Sequence, residues 1–130
     1  MISELQEQKC RELLTTTTVG RIGFVAEQRV HILPVNYVVI GDDLVLRTSS
    51  DGILRRVSDD DSPVAFEIDY HDDLSGMAWS VLIHGSLSPL DGELPAAAER
   101  ISPWAGGERP LPLRVRIESI SGRRVRRGRR

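Results

Sequence analysis

The sequence predicts a mainly β protein, built as a closed or partly closed antiparallel barrel of six or so strands. Two observations carry this. Segments of alternating apolar and polar residues recur along the chain, and the connections between them are short and rich in Gly, Asp and Pro. Short connections make neighbouring strands antiparallel, and so many strands in 130 residues favour closure over an open sheet. The length fits one domain with a real core.

The first element reads as a helix over 4–14. Ser3 and Gln6 have capping-box spacing, and Leu5, Leu13 and Leu14 supply an apolar stripe. Thr15 to Thr18 are β-branched and suit a linker into a strand. Gly20–Ala26 alternates, with Ile22, Phe24 and Ala26 on one face. Glu27-Gln28-Arg29 is a turn, and a long strand follows over 30–40. That strand carries Pro34 and Asn36 at its middle. Proline cannot donate to a ladder, and asparagine brings an amide that needs a partner when buried. The pair marks either a local bulge or a place where the sheet opens to receive a ligand.

Gly41-Asp42-Asp43 makes a tight hairpin, and Leu44–Thr48 is the next strand. Ser50 or Asp51 caps a short helix bearing Ile53, Leu54 and Val57. After the loop Asp59–Pro63, Val64–Tyr70 alternates cleanly. Trp79–Leu87 is a strand, Ala96–Ile101 a short helix, and Leu111–Ile120 the last long strand, with Gly122–Val125 extending it. Residues 1–125 form the domain and 126–130 a basic tail.

Composition excludes several function classes. The lone Cys10 permits neither an internal disulfide nor a Cys-X-X-Cys site. His31, His71 and His84 lack ligand spacing, so no metal is expected. There is no nucleophile elbow, P-loop or dinucleotide fingerprint. No stretch is long and apolar enough for a membrane span, and no signal-peptide pattern opens the chain, so a cytoplasmic protein is expected. Six of the last eight residues are arginine, whereas the rest of the chain is acidic. Such a run can neutralise phosphates, but an acidic, aromatic-poor body argues against a nucleic-acid face, and a solvated tail is the expectation.

One cluster suits an anion. Arg47-Thr48-Ser49-Ser50 ends a strand and enters a helix start, offering a guanidinium fork, hydroxyls and free N–H groups. Arg55 and Arg56 follow one turn on. Trp79 and Trp104 can wall a flat ring or fill the core.

Ordered blocks over about residues 10–125 carry a resemblance. They are Val19-Gly20-Arg21-Ile22-Gly23-Phe24, His31-Ile32-Leu33-Pro34-Val35-Asn36-Tyr37, Gly41-Asp42-Asp43-Leu44 and Leu46-Arg47-Thr48-Ser49. Further on are Val64–Asp69, Trp79–Gly85, Pro103-Trp104-Ala105, Val115-Arg116-Ile117 and Ile120–Arg124. This set resembles the FMN-binding split-barrel superfamily, specifically small proteins related to pyridoxamine 5'-phosphate oxidase.

The resemblance implies a six-stranded antiparallel split β-barrel that forms a homodimer, with flavin sites at the dimer interface and a small-molecule substrate. Pro34, Val35, Asn36 and Tyr37 would lie along the isoalloxazine ring. Arg47, Thr48 and Ser49 would approach the ribityl phosphate, Trp79 and Ser80 would come from a neighbouring strand, and Trp104 would cover the site. Tyr37 and His31 lie in the region where an acid or base would act; some relatives bind haem, but no axial ligand is well placed here, His31 and His84 being the candidates. Much of the family places a lysine at the helix start to pair with the phosphate; the matching residue here is Ile53. Arg55 or Arg56 would replace it, the cofactor would be the deazaflavin F420 instead of FMN, or the site would be degenerate. The resemblance therefore implies a flavin-binding oxidoreductase, with a non-enzymatic flavin carrier or sensor as the alternative.

Overall fold

The computed structural model describes residues 1–48, 52–92, 96 and 111–126. Seven strands and two short helices run in the order β1 (Ile2–Leu5), α1 (Glu7–Leu14), β2 (Val19–Ala26), β3 (Arg29–Ile40), β4 (Asp43–Thr48), α2 (Ile53–Ser58), β5 (Ser62–Asp72), β6 (Met77–Pro89) and β7 (Leu111–Arg126). All pairings are antiparallel, in the order β1-β7-β4-β3-β2-β5-β6, and β6 pairs back onto β7. Six strands thus close the barrel, as expected, and β1 is added outside the ring.

The helix expected over 4–14 is corrected at its start. Residues Ile2–Leu5 are a strand, paired with Gly122–Val125 at the other end of the chain, and Glu4 lies opposite Arg123. Ser3 is therefore no cap; Gln6 is the N-cap, without a side-chain bond. A strand whose partner lies more than a hundred residues away leaves little local signal. The last strand runs unbroken to Arg126, one residue past the expected domain edge. The Ser50 and Asp51 caps lie outside the described residues, as does the helix expected over Ala96–Ile101 except for Ala96.

Two hairpins obey turn chemistry differently. Gly41, with φ +60°, opens the β3–β4 turn and supplies the backbone that the connection needs. The β2–β3 turn places both Glu27 (φ 54°) and Gln28 (φ 63°) in the left-handed region, at some cost without glycine.

The core lies inside the ring. Ile22, Phe24, Val35, Tyr37, Leu44, Leu46, Phe66, Ile68, Val81, Ile83, Leu113 and Val115 point inward from six strands and are buried. Cys10, Leu13 and Leu14 of α1 and Leu54 and Val57 of α2 join the same cluster. Gly20 lets Phe66 cross its strand: a Cβ there would lie 2.3 Å from Phe66 Cζ. Phe66 in turn meets Tyr37 edge-on at 4.9 Å.

Pro34 causes no bulge. The β2–β3 register is regular from Val19–Asn36 to Ala26–Arg29, with Arg21 opposite Pro34. The Tyr37 N–H donates to Thr18 O at 2.9 Å. By alternation the nitrogens of Val35 and Leu33 also face β2, while those of Asn36, Pro34 and Ile32 face away. On that side β4 pairs only with residues 37–40. The missing proline N–H therefore falls on an open edge, where it costs no ladder bond. The sheet opens at this strand, as one of the two readings expected.

The ladder's one register shift lies between His84 and Gly85 in β6, where β7 approaches closely. A Cβ on Gly85 would sit 2.0 Å from Arg116 O. Gly85→Ala should overpack this contact and lower stability by about 1–3 kcal/mol, read as a lower urea midpoint at unchanged slope.

Tyr37 is buried, and its hydroxyl donates to Leu14 O at 2.5 Å, tying β3 to the end of α1. Burial pushes its phenol well above the usual value of 10.0. The unfolded chain therefore ionises first as pH rises, and the stabilisation present below pH 10 is lost above it. Tyr37→Phe should cost about 0.5–1.5 kcal/mol near neutrality and remove this residue's share of the alkaline loss. Urea midpoints measured from about pH 8 to 11 check both effects.

Candidate functional site

The opening between β3 and β4 has a defined floor. Val35 and Tyr37 point into the core, so Asn36 and Val38 point outward, as do Val45 and Arg47 opposite the buried Leu44 and Leu46. On β7 the outward residues are Pro112, Arg114 and Arg116, alternating with buried Leu113 and Val115. The register aligns three rows across this outer face. Ile40, Asp43 and Arg116 form one; Val38, Val45 and Arg114 the next; Arg47 and Pro112 the third, with Asn36 just past the last β3–β4 pair. Val38, Ile40 and Leu90 cover Val45, giving a small apolar patch bordered by polar groups. Leu90 is anchored by its N–H to Pro112 O at 3.2 Å.

Beyond Tyr37–Leu46 the strands part. β3 continues along β2, while Arg47 and Thr48 follow β7, opposite Pro112 and Leu111. Asn36 and Arg47 flank the cleft. The Asn36 amide oxygen is buried and has no hydrogen-bond partner. A buried acceptor left unmet costs about 1–3 kcal/mol. That cost vanishes if a ligand in the cleft donates to it.

The expected site residues fall into two groups. Pro34, Asn36 and Arg47 gather at the cleft, and the backbone of Thr48 follows Arg47 along β7. The side chains of Val35 and Tyr37 do not join them, because both fill the core, and their N–H groups face β2. Ser49 and Trp104 lie outside the described residues. Ile53 packs against the core, so its position gives an apolar contact and no cation. Arg55, expected to replace the lysine, pairs with Asp59 on its own helix, and Arg56 reaches Glu27 of the β2–β3 turn at 3.6 Å. Such exposed pairs are weak, but neither directs its arginine toward Arg47.

Trp79 and Ser80 form the second group. They lie on β6 opposite Tyr70 and Asp69, and on the other side opposite Arg124 and Arg123. Trp79 stacks on Tyr70 with centroids 6.1 Å apart. Together with Asp69, His71, Ala78 and Arg123 they line a pocket of ≈ 280 Å³. Arg47 and Thr48 meet β7 at its opposite end. At ~3.3 Å per residue, about 40 Å of strand separate the two groups, so one chain does not bring them together.

A third feature had no clear sequence signal. β2 pairs with β5 over only Arg21–Gly23 and Ala65–Glu67. Outside this short contact a cleft of ≈ 600 Å³ is lined by Arg21, Gly23, Ile32, Glu67, Asp69 and His71. Arg21 bridges Glu67 and Asp69, the latter at 2.7 Å, and this holds its guanidinium above the ordinary range, chiefly through Asp69. Beside the cleft, Val25, Val30 and Ile32 are 65%, 75% and 66% exposed on one outward face with Pro34. Arg114 was also missed, since a lone arginine in an alternating strand reads as a solvated face.

His31 stacks on Phe24 at 5.2 Å, with Nε2 3.0 Å from Ala26 O, so its ring is engaged within the hairpin. Among the described residues no group of three His, Cys, Asp or Glu is placed to hold a metal, and no helix is long and apolar enough to cross a membrane.

Comparison with known proteins agrees with this architecture. No curated protein matches the chain in sequence. The solved FAD-binding protein of Mycobacterium smegmatis is similar at 28% identity and a TM-score of 0.77, covering 97% of this chain and 100% of that one. An FAD-binding protein of Mesorhizobium loti shares the fold at 20% identity and a TM-score of 0.78, with 95% and 96% covered. A Corynebacterium diphtheriae protein of unknown function is 25% identical, with a TM-score of 0.75 and coverage of 94% and 96%. The sequence pattern of pyridoxamine 5'-phosphate oxidase matches residues 6–124, which span α1 and almost all of the barrel. A match of that extent, on a split barrel, assigns the chain: it belongs to the pyridoxamine 5'-phosphate oxidase family.

Proposed function

We propose that this protein binds a flavin at the cleft between β3 and β4, and that two copies complete the site. The observation that carries the reading is the buried, unpartnered Asn36 amide oxygen at an opening flanked by Arg47. A flavin ring has an N–H edge that can donate to such an acceptor, and the Val38–Val45 patch beside it offers apolar contact. Arg47, Thr48 and Ser49 approach the phosphate. Pro34, Val35, Asn36 and Tyr37 lie along the ring, with the backbone of Pro34 and Asn36 turned to the open side. Family membership supports this, as does a 28% identical relative that binds FAD. FMN is the cofactor we favour, with F420 as the alternative.

The flavin supplies hydride chemistry with a small-molecule substrate; the chain supplies position and hydrogen bonds. An oxidoreductase is the activity we favour. A carrier or sensor is the second reading, favoured by the apolar packing of Ile53 where much of the family has a lysine.

The separation of Trp79 and Ser80 from Arg47 supports a homodimer, in which a second copy brings its tryptophan to the first copy's cleft. The exposed Val25, Val30, Ile32 and Pro34 face is suited to be covered by that copy. Trp104 is assigned to the cover of the site on the family resemblance alone.

Purified protein should show a flavin absorbance band, or acquire one on titration with FMN or F420. Light scattering should give twice the 14.5 kDa chain mass. Asn36→Leu removes the acceptor and should weaken flavin binding about tenfold with the fold intact by circular dichroism. No binding of either cofactor overturns the reading. Bound flavin that neither NAD(P)H nor reduced F420 can reduce would favour the carrier over the oxidoreductase.

A further inference from the structure

We propose that Arg114, on β7, is the second cation of a two-arginine phosphoryl seat shared with Arg47. It takes the part that an apolar residue 53 leaves vacant. The inference deepens the flavin reading and rests on it.

The register puts the two side chains together. Val45 is opposite Arg114 and Arg47 is opposite Pro112, so Arg47 and Arg114 are diagonal neighbours on adjacent strands. Such neighbours lie about 7–8 Å apart, within reach of two long side chains converging on one group. Both belong to the outward set, because Leu46 and Leu113 beside them point into the core. They stand on the same face as Asn36, at the end of the β3–β4 cleft.

Arg114 is under-engaged for a half-buried cation. Its side chain is 27% exposed, its Nε is buried without a hydrogen-bond partner, and its carboxylate neighbour Asp43 stands 4.0 Å away. That distance exceeds a charge-assisted hydrogen bond, so the guanidinium fork keeps donors for another acceptor. Arg116 adds a third positive group opposite Asp43. Among the described residues the register sets Arg47, Arg114 and Arg116 on this face together with Asp43. Two guanidiniums this close repel one another, and a dianion between them removes the repulsion while meeting both forks. Phosphate geometry suits this arrangement, since its oxygens accept from planar donors on two sides. The same chemistry is offered by a ribityl phosphate, by the diphosphate of FAD and by free phosphate.

Two measurements test the seat. In the first, FMN, FAD and riboflavin are titrated into the wild-type protein and into Arg114→Gln. The wild type should prefer FMN over riboflavin by about tenfold or more, and Arg114→Gln should lose most of that preference at unchanged riboflavin affinity. FAD binding as tight as FMN binding in the wild type, lost equally in the variant, assigns the seat to a diphosphate. An FMN-to-riboflavin ratio that is the same in both proteins overturns the proposal. In the second, inorganic phosphate is added to ¹⁵N-labelled wild-type protein and the arginine Nε–H resonances are followed. The Arg114 signal should shift saturably. That shift in a protein that binds no flavin leaves the seat standing and removes the flavin reading. An unmoved Arg114 signal overturns the seat, whether or not flavin binds and whether or not the variant folds.

Discussion

The barrel depends on one constraint in β3: the strand has two neighbours in turn, not side by side. Residues 29–36 pair with β2 and residues 37–40 with β4. A closed barrel with full ladders has no edges; this one has an edge wherever a strand changes partner. Pro34 sits on such an edge with no N–H to leave unmet, and Asn36 sits at the change itself. Backbone that would otherwise need a neighbouring strand is released where a ligand can reach it. The same logic repeats on the far side of the β2–β3 hairpin, where only three residues of β2 hold β5.

Closure is then the work of β7. It pairs with β6 over Leu113–Arg126, and with β4 and then β1 on its other side. Such a strand must bend, and the shift at His84/Gly85 is where the ladder yields. Gly85 and Gly122 keep its neighbours close: added Cβ atoms would meet Arg116 O at 2.0 Å and Cys10 Sγ at 2.7 Å. The length of β7 also separates the two halves of the expected site. A strand that holds the barrel together carries Arg47's partners at one end and Trp79's at the other. Within one chain the Arg47 end and the Trp79 end of β7 stand apart, which is the ground on which a second copy is proposed to complete the site.

Alternation made most of the fold legible. Ile22-Phe24, Leu44-Leu46, Val64-Phe66-Ile68 and Val81-Ile83 each marked an inward face that the structure buries. β1 was not legible, because its pairing with the end of β7 has no local trace and Ser3-Gln6 mimicked a cap. The cleft was half legible. Proline and asparagine in a strand signal an opening, but not which neighbour leaves. Tyr37 read as a site residue by its position, yet parity sends its ring inward to Phe66 and Leu14. Arg114 was invisible for the opposite reason. An outward arginine in a strand looks solvated until the register sets it beside Arg47.

Ile53 is held by the same packing. α2 rests on the barrel through Leu54 and Val57, both buried, and Ile53 adds to that contact. A helix of six residues has little stability of its own, so it is held by what it buries. An apolar residue at its start strengthens the dock. A cation carried on β7 has a different character from one carried on such a helix. Its position is set by ladder register, with both neighbouring strands in place before any ligand arrives. The entropy of ordering that side chain is then met largely by folding rather than by binding. The proposed seat on Arg114 would thus have the fixed geometry of a strand.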